Sequence, residues 1–264
     1  MIRIFITLIA IVSIMFGFNL SGFAKSMLGD SSTNPTSNVA KTGLSSSTVT
    51  SGLKEALKKG VSFAVANLGK KDGYLGNSLV KIPLPKNLSK AEKLVRKFGG
   101  DKIADNLINS MNVAASKAAP KTVDIFMSAI NKMTLNDAKN ILAGGKDAAT
   151  QYFKKHTTKS LEKMINPIVK STMKENSVTK YYDGFNEYYK KYGKKYVENS
   201  SVMSMAKSFG VDSYLPSSSD EDLDKYVTDK AIDGLFKMIA KKEADIRANP
   251  IARTTSILKQ VFGN

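Results

Sequence analysis

The stretch that decides the fold spans residues 222–247 and reads DLDKYVTDKAIDGLFKMIAKKEADIR. At 3.6 residues per turn its apolar side chains fall on one broad face of a helix, an arc of roughly 160°. An arc this wide exceeds what a one-sided surface helix needs, so it predicts burial against more than one neighbour. We expect this segment to be the longest helix of the domain, with the other helices packed around it. The residues on the inward face are Val227, Ala231, Ile232, Gly234, Leu235, Met238, Ile239 and Ile246.

The rest of the chain carries the start and stop signals of further helices. Ser51 is placed to cap a helix that ends near Gly69, and Thr134 and Asp137 have the spacing of a capping box. Pro167 follows Asn166 and predicts a helix start, with a kink inside a longer helix as the alternative. No alternation at period two is long enough to build a sheet. The prediction is an all-α fold, a single bundle of about eight to ten helices.

One segment interrupts this helical pattern. Asp72-Gly73 is a turn signal, and Pro83 and Pro85 forbid a helix around them. The segment near 72–85 is therefore predicted to be a short extended loop or a hairpin. Its apolar content is too high for a free linker, so we expect it to lie across the helices.

The first 24 residues have the pattern of a secretory signal peptide. Arg3 supplies the positive end, an apolar run follows, and Gly22-Phe23-Ala24 is a small-x-small cleavage site. An uncleaved anchor is the alternative. Residues 25–50 are dominated by Ser, Thr and Asn, which predicts a disordered tether, and residues 51–264 are predicted to form the helical domain. These features favour a periplasmic protein of a Gram-negative bacterium.

The charge of the chain is strongly positive. The formal net charge is +17, and it falls to +16 once the signal segment, which contains Arg3 and no acidic residue, is removed. Such a balance predicts attraction to an anionic envelope component, including peripheral contact with a membrane, while export argues against nucleic acid. The alternative is a solvated basic surface that reflects compositional bias, because 36 of the 40 basic residues are lysine.

The residue types limit the possible chemistry. The chain has no cysteine and a single histidine, His156, so Ser-His-Asp triads, cysteine nucleophiles and His-rich metal sites are almost excluded. His156 follows two lysines, and we expect it near a helix end. Nothing in the sequence predicts a cofactor or a metal. We expect a protein that is not an enzyme, with a hydrolase that uses buried carboxylates as the less favoured alternative.

Arginine is rare enough in this chain for its placement to be informative. Arg247 and Arg253 flank Asn249-Pro250 at the end of the central helix. A planar guanidinium suits a two-point contact with a carboxylate, so the favoured interpretation is an internal pair with Glu243 or Asp229. Capture of an anionic ligand is the alternative. We expect any functional site between this corner and the helix at residues 147–153.

Several motifs resemble a known bacterial family. The C-terminal matches are Tyr226-Val227-Thr228, Asp233-Gly234-Leu235-Phe236, Ile239-Ala240 and the pattern from Pro250 to Gly263; the upstream matches are Asp72-Gly73, Ile82-Pro83-Leu84-Pro85, Met111-Asn112 and Asp147-Ala148-Ala149-Thr150 with Tyr152-Phe153. Together they resemble the family catalogued as domain of unknown function 4197, over roughly residues 53–263. Residues 190–219 depart from it by their length. The resemblance implies a helical, exported domain and supplies no activity and no catalytic residues.

These observations define one candidate cluster and two functional hypotheses. The polar cluster, for ligand binding or for structure, consists of Arg247, Arg253, Glu243, Asp229, Asp147 and Asn112. The first hypothesis is an exported envelope protein that holds an apolar or amphiphilic ligand, and the second is a scaffolding or interaction protein with a basic docking face. Adaptable methionine side chains would line the ligand cavity, unless they simply fill the core. They are Met111, Met127, Met133, Met164 and Met173.

Overall fold

The computed structural model describes residues 45–194, 223–249 and 259. The predicted signal segment 1–24, residues 25–44 of the predicted tether and Arg253 lie outside these residues. The all-α prediction is confirmed: the described residues form helices and loops, with no strand among them. The α-helices are α1 (Ser46–Leu68), α2 (Lys86–Lys97), α3 (Asp101–Ala118), α4 (Val123–Lys132), α5 (Leu135–Ala143), α6 (Ala148–Glu175), α7 (Val178–Tyr188) and α8 (Leu223–Ala248). A 3-10 turn, Ala119–Thr122, joins α3 to α4, and a π-helical turn, Tyr189–Lys194, follows α7.

Helix α8 is the centre of the fold. It packs against α6, α1 and α3, and all eight apolar residues predicted to face inward are buried. The prediction of burial against several neighbours is therefore confirmed. The prediction that this helix is the longest is wrong, because α8 has 26 residues and α6 has 28.

Helix α6 owes its length to continuing through Pro167. Asn166 does not cap a new helix; it lies inside α6, and its side-chain amide is 3.4 Å from the Thr228 hydroxyl of α8. Pro167 lies on the exposed side of α6, where water can solvate the carbonyl that loses its helical hydrogen bond. One apolar face runs without a break on both sides of the proline, and its burial keeps the helix continuous. Its buried members are Phe153, Leu161, Ile165, Val169 and Met173.

The segment between α1 and α2, residues 69–85, is an ordered loop that crosses the helices, which confirms the loop rather than the hairpin. It contributes Tyr74, Val80, Ile82 and Leu84 to the core. The Tyr74 hydroxyl donates a hydrogen bond of 2.7 Å to the carbonyl of Ala231 in α8. Because burial desolvates the hydroxyl of Tyr74, its pKa is raised above the ordinary value. This loop is thus tied to the central helix.

The helix caps were partly predicted. Thr134 and Asp137 form the predicted capping box, in which each side chain bonds the backbone amide of the other residue. Helix α1, in contrast, begins six residues earlier than predicted, since Ser45 rather than Ser51 is its cap. The Ser45 hydroxyl accepts a hydrogen bond of 3.1 Å from the Thr48 amide. None of the helices that the structure describes is both long and apolar enough to cross a membrane.

Candidate functional site

The predicted corner at the end of α8 contains a buried carboxylate, Glu243, aimed at the start of α6. Its Oε1 atom accepts a hydrogen bond from the amide of Ala149, and its Oε2 atom accepts from the amide of Thr150, both at 2.9 Å. The Thr150 hydroxyl donates a third hydrogen bond of 2.9 Å to Oε2. These two amides belong to the first turn of α6, where no intrahelical acceptor exists. Glu243 therefore caps a helix that begins 95 positions earlier in the chain.

Arg247, one turn further along α8, completes the corner. Its Nε and Nη2 atoms donate to Oε1 of Glu243 at 3.1 and 3.0 Å, and Nη2 also donates to the carbonyl of Ile141 at 2.9 Å. Ile141 lies in the last turn of α5, whose carbonyl groups lack intrahelical donors. The acid thus lies at a helix N-terminus and the base at a helix C-terminus, which is the favourable orientation for both helix dipoles. Together they connect the end of α5 and the start of α6, which flank the turn at residues 144–147.

This arrangement accounts for the hydrogen-bonding capacity of the carboxylate. An ionised carboxylate offers about four acceptor positions, and Glu243 accepts from two amides, one hydroxyl and the Arg247 guanidinium. The side chains of Glu243 and Arg247 are only 7% and 9% exposed, so water does not compete for these contacts. A carboxylate held in this way suits a structural clamp, and it is poorly placed to take up a proton from a substrate.

The other residues of the predicted cluster lie apart from this clamp. Asp147 occupies the cap position of α6 without capping it, and its carboxylate accepts a hydrogen bond of 2.8 Å from the side-chain amide of Gln151. Asp229 is exposed on α8 and pairs with Lys225 at 2.6 Å, about 21 Å along the helix from Glu243. Asn112 serves the loop at residues 69–85: it accepts from the Ile82 amide at 2.9 Å and donates to the Ile82 carbonyl at 2.8 Å. Arg253 lies outside the described residues.

The space beside the clamp is small. A cavity of about 20 Å³, roughly the volume of one water molecule, lies between α1, α8 and the start of α6. A drug-sized ligand needs about 300 Å³ or more. The five methionines proposed as a lining do not converge on a common cavity either. Met111, Met133 and Met173 are buried in the core, Met127 is partly buried, and Met164 is 40% exposed.

The sequence pointed to Glu243 and Arg247 as site residues, but it did not predict the groups that they bind. Ala149, Thr150 and Ile141 take part through backbone groups, and no sequence pattern marks such a role. His156 was expected near a helix end, and this was wrong, because it lies well inside α6 and its ring is 4.5 Å from that of Tyr152. A further feature had a visible signal: the lysines of α6 recur at helical spacing, as in Lys155 and Lys159.

The described residues contain no group of three or more His, Asp or Glu side chains placed to hold a metal ion. The fold and the clamp define an all-α domain in which a central helix ties the loop and the helix ends together. The chain belongs to the family described as "Protein of unknown function (DUF4197)", whose model matches residues 43–263. No curated protein and no solved structure matches the chain.

Proposed function

We propose that this protein is an exported, non-enzymatic binding module that docks on the surface of an anionic phospholipid membrane. The observation that carries the proposal is a row of exposed lysines on α6, here called the lysine ridge. At 100° per residue these side chains fall within an arc of about 100°, and they extend over about 29 Å of helix. The ridge consists of Lys155, Lys159, Lys163, Lys170 and Lys174.

The ridge places five positive charges on one face of α6. None of its five lysines has a carboxylate of the described residues within the 4.0 Å of an ion pair. Three carboxylates lie beside the row at longer range: Glu162 on α6 itself, Asp137 near Lys155, and Asp224, which lines a depression together with Lys170 and Lys174. The pair formed by Lys117 and Glu175 lies beyond its end. Lysine ammonium groups are hydrated point charges that suit a diffuse anionic surface better than a shaped phosphate pocket. A lysine close to an anionic membrane contributes about 1 kcal/mol to binding.

The amphiphile carrier is less well supported by the geometry. The apolar cavity beside the clamp admits about one water molecule, and the methionines proposed as its lining are dispersed. Catalysis is also less well supported, since the buried Glu243 carboxylate already accepts several hydrogen bonds and the single histidine is exposed. A surface that binds by charge requires neither a cavity nor a reactive group.

Co-sedimentation with vesicles tests the proposal. The protein is expected to sediment with vesicles of phosphatidylcholine and phosphatidylglycerol, to stay in solution with phosphatidylcholine alone, and to dissociate as sodium chloride is added. Changing all five ridge lysines to glutamine should weaken binding at least about tenfold more than a control that loses the same charge elsewhere. The control changes five exposed lysines on separate elements, namely Lys58, Lys81, Lys102, Lys121 and Lys241.

Three outcomes would contradict the proposal. If the ridge and control variants lose affinity equally, net charge alone accounts for binding and the ridge has no special role. If the protein binds phosphatidylcholine vesicles equally well and added salt leaves binding unchanged, the contact is not electrostatic. Salt-sensitive binding to a purified acidic protein, without any binding to vesicles, would assign the ridge to a protein partner instead.

A further inference from the structure

A groove lies between α4 and the first half of α6. It has a volume of about 630 Å³, within the range of small-ligand sites. Its walls carry hydroxyl and carboxylate groups, and an aromatic pair, Tyr152 and His156, lies between them. We call it the His156 groove; it is lined by Asp124, Ile125, Ser128, Ala129, Lys132, Thr134, Asp137, Tyr152, His156 and Ser160.

We propose that the His156 groove binds a neutral, hydroxyl-rich ligand of the oligosaccharide class. This site adjoins the lysine ridge at Lys155, but it does not depend on membrane docking. The proposal rests on the balance of charge in the groove, on the fixed aromatic surface and on the hydroxyl groups of both walls.

Charge in and around the groove is balanced, although the chain carries +17. Asp124 and Asp137 line the groove together with Lys132, and Lys155 lines the depression that adjoins it. Two carboxylates thus face two ammonium groups. A site for a polyanion or a polycation would show a clear excess of one sign, because charge complementarity determines which partner is admitted. A local balance in such a basic protein favours an uncharged ligand.

The aromatic pair provides a rigid surface for the apolar faces of sugar rings. The Tyr152 hydroxyl donates a hydrogen bond of 2.9 Å to the carbonyl of Ala129, in the last turn of α4, and this contact fixes the ring. The His156 ring lies against it in a tilted arrangement, with 4.5 Å between ring centroids and a 38° angle between planes, and His156 is exposed. Aromatic rings supply a large contact area at a low entropic cost when they are held in advance.

The polar groups around this surface suit hydroxyl partners. Ser128 on α4 and Ser160 on α6 line opposite walls, and each hydroxyl both donates and accepts. The Asp124 carboxylate, in the first turn of α4, is exposed and accepts hydrogen bonds only. The Asp137 carboxylate stays charged because hydrogen bonds from Thr134, together with the nearby His156 and Lys155, hold its pKa below the usual range. A sugar hydroxyl needs this mixture of donors and acceptors.

A titration in solution, without vesicles, tests the assignment. Amide chemical shifts of the nitrogen-15-labelled protein are followed as neutral oligosaccharides are added, using chitotetraose and maltotetraose as the probes. Saturable shifts confined to the groove amides with at least one probe are expected. Ser128→Trp places a large ring in the groove and should weaken that binding on the order of tenfold or more. Ser62→Trp, at an exposed position of α1, is the matched control and should leave binding unchanged.

The opposite results are equally clear. Absence of saturable shifts with both probes overturns the proposal, as does binding that Ser128→Trp leaves intact. Stronger groove binding of an anionic heparin fragment than of either neutral probe would also overturn it, because the groove would then select charge. Because the titration contains no membrane, a negative result would not contradict the proposal that the lysine ridge binds membranes. A negative vesicle experiment, in turn, would not contradict oligosaccharide binding in the groove.

Discussion

Glu243 and Thr150 are 93 residues apart in the chain, and two hydrogen bonds of 2.9 Å join them in the buried corner between α8 and α6. The carboxylate of Glu243 supplies the cap that Asp147, the local candidate, does not provide. Arg247 extends the same corner to the end of α5. One pair of side chains on the central helix therefore stabilises both ends of a turn that neither residue belongs to.

Replacing Glu243 with glutamine is expected to destabilise the fold by about 3–5 kcal/mol, because it leaves the buried Arg247 charge without its counter-charge. The measurement is the free energy of unfolding in urea. Asp245→Asn is the matched control on the same helix, since its salt bridge to Lys242 is partly exposed, and it should cost at most about 1 kcal/mol. Equal losses for the two variants would show that the clamp is not a special contact.

Gly234→Ala and Gly184→Ala should change stability in opposite directions. A Cβ atom at Gly234 would lie 2.6 Å from Cε1 of Tyr74, a buried ring held by its bond to Ala231, whereas one at Gly184 would have no neighbour within 4 Å. Alanine at position 234 is therefore expected to cost about 1–3 kcal/mol through overpacking. Alanine at position 184 should add about 0.5–1 kcal/mol through helix propensity. Thermal or urea unfolding measures both, and a stabilised Gly234→Ala protein would contradict the packing described here.

The capping box should make stability depend on pH in the acid range. Hydrogen bonds from the Thr134 amide and hydroxyl lower the pKa of Asp137 in the folded protein. A lowered folded pKa gives stability that is fully present above the unfolded pKa, about 3.9, and that is lost as the pH falls through the folded pKa. The difference in unfolding free energy between the protein and Asp137→Asn should therefore be constant near neutrality and shrink below about pH 4.

A second variant isolates the origin of that pH dependence. Thr134→Ala removes the hydroxyl of the box and is expected to cost about 0.5–2 kcal/mol at neutral pH. It should also reduce the acid-range difference between Asp137 and its asparagine variant, because one of the bonds that lower the pKa is gone. An acid-range difference of full size in the Thr134→Ala background would assign the effect to the backbone amide of residue 134 and to the nearby charges instead.

Asn112→Ala should loosen the loop at residues 69–85 before the rest of the protein. Asn112 is 1% exposed and bonds both the amide and the carbonyl of Ile82. Its loss leaves two buried backbone groups unsatisfied, at a cost of at least about 2 kcal/mol. Hydrogen exchange of the Ile82 amide should accelerate more than exchange of amides in α8. Asn109→Ala, exposed one turn earlier on the same helix, should change neither rate.

Local signals in the sequence predicted a large part of the fold. The inward face of α8, the box of Thr134 and Asp137 and the ordered loop with its two prolines all follow from the spacing of neighbouring residues. Such features depend on interactions between residues within one or two turns, so the local order of residue types is enough to predict them. The start of α1 was missed by six residues because Ser45, in a run of serines, is as good a cap as Ser51.

The sequence was less informative about the site. It identified Arg247 as a partner for an internal carboxylate, with Glu243 or Asp229 as the candidates, and the structure shows that Glu243 is the partner. The groups that this pair binds belong to other helices, and backbone amides have no side-chain signature. Asp229 was equally plausible as a partner from residue type alone, yet helix geometry places it about 21 Å away along α8.

By itself the sequence determined the all-α class, the central position of α8 and the excess of lysine, because periodicity, capping and composition are local properties. The tertiary structure alone decided that α6 continues through Pro167, because the burial of its face on both sides outweighs the lost backbone bond. It also decided that Glu243 caps α6 and that Tyr152, His156 and Asp124 line one groove. Contacts between residues distant in the chain form only when helices pack, and local patterns do not encode which ends then meet.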